Sequence, residues 1–100
     1  MKKLLVFALL AASPAMAGRM DEIVIMTLES VEATLGLAGG PEFPFTVKYQ
    51  DFTKAAPGRD LAVKTEIVVP NQDGTNQEWT CVTQFVKTPT FFKVSETDCN

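Results

Sequence analysis

Residues 78–99, EWTCVTQFVKTPTFFKVSETDC, carry both cysteines of the chain, one near each end, around a central Thr88-Pro89-Thr90. Read as a hairpin turning near Thr90, the stretch pairs residues whose numbers sum to about 180, which sets Cys81 opposite Cys99. A cross-strand disulfide suits that placement. A redox pair would favour Cys-x-x-Cys at a helix start, and a zinc site would need further ligands. The chain has no histidine and no third cysteine, so the pair reads as a staple. A loop of this length closed by a disulfide contributes about 3 kcal/mol in the chain-entropy account.

The same register contains a conflict. It places Lys87 opposite Lys93, and like charges directly opposed are unfavourable, so a slip or a bulge near the turn is expected. Trp79, Cys81 and Phe85 are expected to face the core. Val82, Val86, Phe92 and Val94 are then expected on the opposite sheet face, with Pro89 at the tip; the alternative is a different register in which these residues simply form the core. Phe91 and Phe92 are adjacent, and neighbours in a strand point to opposite faces. One helix would therefore not bury both.

Upstream of the hairpin the period is also two. Phe45, Val47 and Tyr49 alternate with Thr46, Lys48 and Gln50 in a strand over 45–53. Leu61, Val63, Thr65, Ile67 and Val69 alternate with Ala62, Lys64 and Glu66 in a second, ended by Pro70. KAAPGRD and NQDGTNQ supply the turns. Further strands are expected over about 78–87 and 91–98. Before them, MDEIVIMTLESVEATLGLA (20–38) has a helical stripe of Met20, Val24, Leu28, Val31 and Leu35, flanked by Ile23 and Ala38. Asp21 and Glu22 suit a first helical turn. The β-branched run Ile23–Met26 competes as a strand, but the stripe continues to Leu35. The fold class is thus α+β: one amphipathic helix on a four-stranded antiparallel meander with one disulfide.

The opening MKKLLVFALLAASPAMA combines Lys2 and Lys3, an apolar Leu4–Ala12 run and the small-x-small triplet Ala15-Met16-Ala17, the pattern of a secretory signal peptide (1–17) cleaved after Ala17. Its apolar run is shorter than the roughly 20 residues a spanning helix needs. A single periplasmic or secreted domain over 18–100 follows, in a bacterial setting. Of the chain's 9 basic residues, Lys2 and Lys3 leave with the leader, so 7 face 12 acidic ones, a net charge of −5. Such a chain does not draw nucleic acid or anionic lipid by long-range attraction. No membrane span is expected in the mature domain.

Catalytic chemistry finds few candidates. Without histidine, Ser-His-Asp and Cys-His arrangements are excluded. Ser95 and Lys93 on one strand, or Glu96 with Asp98 and Glu29 with Glu32, are the ordinary contents of a solvated face. NQDGTNQE does not fit an EF-hand: with Gly74 at the glycine position, Val69 and Thr80 fall where ligands belong. No phosphate-binding glycine loop is present, and no cofactor or metal is expected.

The order helix, Pro44-Phe45-Thr46-Val47-Lys48-Tyr49, strand, Val69-Pro70-Asn71-Gln72-Asp73-Gly74 and Trp79-Thr80-Cys81 resembles a group of small exported bacterial and phage-borne domains of uncharacterised activity. These carry a P-x-S/T-A-K-F segment and an N-x-x-G-type turn before a final hairpin. The longer GLAGGPEF connection and the Asp-Gly turn depart from that pattern. The resemblance implies fold and export more than activity. Cystatins share the helix-over-meander layout, but Gln84-Phe85-Val86-Lys87-Thr88 lacks their glycine and lies on the wrong hairpin.

The functional expectation is a non-catalytic protein-binding module, an inhibitor or accessory subunit, whose partner is another exported or envelope protein. Val82, Val86, Pro89, Phe92 and Val94 are the expected contact. A small-molecule or lipid binder using the helix–sheet gap, and a self-associating structural envelope protein, are the alternatives.

Overall fold

The structure is a computed structural model that describes residues 19–37 and 43–100. The expected leader, its cleavage after Ala17, and Ala38 lie outside the described residues. One helix, α1 (Met20–Leu35), precedes four strands: β1 (Thr46–Thr53), β2 (Leu61–Pro70), β3 (Asn76–Lys87) and β4 (Phe92–Cys99). The strands form one antiparallel sheet in the order β1-β2-β3-β4, so the α+β meander is as expected. The helix is continuous through Ile23–Met26, and the strand alternative falls. It ends at Gly36, whose φ of 68° is open to glycine at no steric cost. There the Gly36 and Leu37 amides donate to the Ala33 and Glu32 carbonyls, a Schellman closure that stops α1 short of the expected end.

The buried helix face is Met20, Ile23, Thr27 and Val31, rotated from the expected stripe. Val24 and Leu28 are only half-buried. Thr27 can occupy the core because its hydroxyl donates to the Ile23 carbonyl at 2.7 Å and so is not left unpaired. Against this face the sheet presents Val63, Thr65, Ile67 and Val69 from β2 and Cys81, Thr83 and Phe85 from β3, all buried. Two apolar clusters result. Met20, Ile23, Val63 and Phe85 form one; Val31, Ile67, Val69 and Cys81 form the other, with Trp79 beside them.

Hydroxyls contribute to the same buried layer. Thr27, Thr65 and Thr83 are fully buried. The Thr97 hydroxyl donates to Thr83 Oγ1 at 3.0 Å and meets Ser30 Oγ at 2.6 Å, while Gln50 Nε2 donates to Thr65 Oγ1 at 3.1 Å. Each buried hydroxyl thus has a partner, and each neutral bond is worth about 1 kcal/mol net.

Cys81 and Cys99 are bonded, as expected, and face each other at the end of the β3–β4 pair. The expected register holds from there to Gln84 opposite Glu96, then shifts. Ser95 is the extra residue. Beyond it Phe85 faces Val94, Val86 faces Lys93 and Lys87 faces Phe92, which removes the Lys87–Lys93 opposition.

Candidate functional site

The bulge corrects the expected contact strip. By shifting the strand one residue it turns Phe92 and Val94 onto the helix side, where they pack against Met20, Ile23, Val63 and Phe85. Phe91 packs on that cluster too. It precedes β4, so the alternation of a strand does not govern it, and its ring meets Phe92 edge-on with centroids 5.4 Å apart. Both phenylalanines are thus half-buried on the helix side, and the expectation that they point to opposite faces does not hold. Pro89 is exposed at the tip.

Val82 and Val86 remain on the side away from the helix, half-buried, but not in an apolar strip. Val82 sits between Lys64 and Asp98 across the sheet, and Val86 is opposite Lys93. The 54–60 loop also folds over part of this face. The Ala56 amide donates to Gln84 Oε1 at 3.0 Å, and Arg59 reaches Glu96 Oε1 through Nε (3.0 Å) and Nη2 (2.8 Å). Ala62 is completely covered there. Ser95 Oγ donates to the same Glu96 oxygen at 2.6 Å, and this bond, with Arg59 second, holds the Glu96 carboxyl below its ordinary range. Of the expected binding residues, Phe92 and Val94 thus pack half-buried on the helix side, Val82 and Val86 lie on a charged, partly covered face, and Pro89 is exposed at the tip.

A different apolar surface lies on the helix side. Helix α1 is not centred over the sheet: its closest neighbours are β4 and then β3. Three contacts hold it there. Arg19, just before α1, stacks its guanidinium 3.7 Å from the Phe91 ring centre and donates to the Thr90 carbonyl at 3.2 Å; Ser30 bonds Thr97. The inner side of β1 is consequently left half-covered. Val47 is 37% exposed there, although its opposite residue Ile67 is fully buried. A groove between α1 and β1 is lined by Met20, Ile23, Val24, Gln50, Phe52 and Val63, with Asp51 at its rim. Its free volume is about 10 Å³, roughly one water, far from what a lipid chain or a drug-sized ligand occupies.

A second bulge lies in β1. Val47 pairs with Ile67 and Tyr49 with Glu66, so Lys48 is extra and Val47 and Tyr49 face opposite ways, not together as the alternation suggested. Lys48 lies 3.4 Å from Glu78 across the sheet. No signal in the sequence marked this surface, because it arises from where the helix is anchored.

Among the described residues no three His, Cys, Asp or Glu side chains gather as a metal site, and no helix is long and apolar enough to cross a membrane. Asp73 instead accepts the Thr75 amide and hydroxyl within its own turn. Comparison with protein-family models, curated proteins and solved structures finds no match.

Proposed function

We propose that this is an exported, non-catalytic protein-binding module, an inhibitor or an accessory subunit of an envelope complex. The observation that carries this reading is the offset of α1: it leaves Val47 exposed and Val24 and Phe52 half-buried beside an open sheet edge. Exposed apolar surface beside unpaired backbone is characteristic of a surface that meets another polypeptide. The leader pattern of residues 1–17 and the Cys81–Cys99 disulfide support a periplasmic or secreted setting. The small free volume of the groove disfavours the lipid or small-molecule reading.

The test is a pull-down from the host's exported fraction with the oxidised protein, run beside Val47→Lys and Val86→Lys. Both sites are surface-accessible or half-buried, so both variants should stay folded by circular dichroism. A protein held by wild type and Val86→Lys but lost by Val47→Lys is the expected result. Retention by a folded Val47→Lys would sink the reading.

A further inference from the structure

Thr80 and Asn100 exchange two backbone hydrogen bonds of 2.9 Å, so the backbone of Thr80 is turned toward β4. Alternation then turns Cys81 toward β2, where its opposite residue is Thr65. One strand further, Gln50 opposite Thr65 and Phe52 opposite Val63 turn their backbone groups outward from the sheet. The Phe52 amide fits that placement, because it donates to the carboxylate of its own neighbour: Asp51 Oδ1 lies 2.8 Å away. A charge placed on an outer strand is a standard obstacle to edge pairing.

Asp51 also decides what can overcome the obstacle. The bulge at Val47–Tyr49 limits a face-matched added strand to residues 49–53. A second copy paired antiparallel over that whole segment sets Asp51 against Asp51 of the other copy, which is repulsive. A strand with lysine or arginine across from Asp51 draws the carboxylate toward itself and frees the Phe52 amide to donate to the incoming backbone. Apolar residues beside that cation would lie on the helix side, over Phe52 and Val24. The domain's net negative charge favours the same class of partner.

We propose that β1 accepts an extended, basic-and-apolar segment of a partner protein as a fifth strand, with Asp51 as the gate. This rests on the protein-binding reading and names the chemistry of the partner.

Two synthetic peptides, acetyl-TKVKVKT-amide and acetyl-TEVEVET-amide, provide the test, titrated into the oxidised, ¹⁵N-labelled protein and into Asp51→Asn and Asp98→Asn. The basic peptide should shift the Gln50 and Phe52 amides, slow their hydrogen exchange, and bind about fivefold more tightly than the acidic one. Asp51→Asn should lower that ratio at least about twofold, toward what the domain's net charge alone supports, and Asp98→Asn, an acid at the other edge, should lower it by much less. Three results each overturn the proposal: no change at Gln50 and Phe52 with millimolar basic peptide, changes centred on another element, or a ratio that Asp51→Asn lowers no more than Asp98→Asn does. If any occurs while Val47→Lys still loses the captured partner, edge addition fails and the binding reading stands. A partner retained by Val47→Lys removes the binding reading itself.

Discussion

Deleting Ser95 should leave the fold intact. Ser95 is the residue β4 carries beyond what β3 can pair: Gln84 faces Glu96 and the next residue, Phe85, already faces Val94. Without Ser95 the ladder becomes regular, every observed pair is kept, and Phe92 and Val94 stay on the helix side. What is lost is the exposed Ser95–Glu96 hydrogen bond and the local kink, so the expected cost is within about 1 kcal/mol. Deleting Thr97 shortens the strand by the same amount with the opposite result. With the disulfide fixed, Glu96 moves opposite the fully buried Thr83, and the Ser30–Thr97–Thr83 hydroxyl chain is lost. A carboxylate directed at a buried position, together with two lost bonds, should cost at least about 3 kcal/mol. Urea denaturation of both oxidised deletion variants measures the difference, and contacts between Val94 methyls and Phe85 by NMR report the register. If β4 instead pairs without a bulge, Val94 faces Val86 on the side away from the helix, and only the deletion of Ser95 would bring it opposite Phe85. Val94–Phe85 contacts that are absent in the full chain and appear only in the Ser95 deletion would refute the bulged register.

Two further outcomes follow from the same strand pair. Cys81→Ala/Cys99→Ser, which opens a link of sequence separation 18, should lose about 3 kcal/mol and melt roughly 12–24 °C lower by calorimetry. For Glu96, whose folded carboxyl is held below its ordinary range by Ser95 first and Arg59 second, the associated stability is present above the ordinary carboxyl value and lost as pH falls through the folded one. An NMR titration should show the Glu96 midpoint rising in Ser95→Ala and, by less, in Arg59→Gln; an unchanged midpoint in both would show that neither contact holds the carboxylate.

Most of the architecture is legible because it follows from period. Alternation in β2 and β3 extends over enough residues to fix both the strands and their inward faces, and the Cys81–Cys99 opposition follows once the turn is placed. The bulges are not legible to the same degree, since each changes the meaning of alternation midway along a strand. One of them leaves a trace: the Lys87–Lys93 clash of the unbulged register is resolved when Ser95 is left unpaired. The β1 bulge leaves none, because Val47 and Tyr49 look equally suited to a shared face. The buried helix face differs from the apolar stripe for another reason. A count of apolar residues passes over Thr27, and a threonine that donates to its own helix is as buried as Ile23.

The candidate surface depends on that polar layer. Apolar contacts alone would let α1 slide over the sheet, since dispersion and burial have little directionality. Hydrogen bonds do not permit this: Ser30 must reach Thr97, Thr97 must reach Thr83, and Arg19 must lie over Phe91 and donate to Thr90. All of these partners except Thr83 lie on β4 or the turn before it. The helix is therefore held toward that edge, and with one helix and four strands the inner side of β1 receives less cover. The exposed Val47 and the groove beside Phe52 are thus consequences of where the hydroxyls and one arginine stand. The Asp51 carboxylate on the Phe52 amide is what keeps the resulting open edge from being available to every strand it meets.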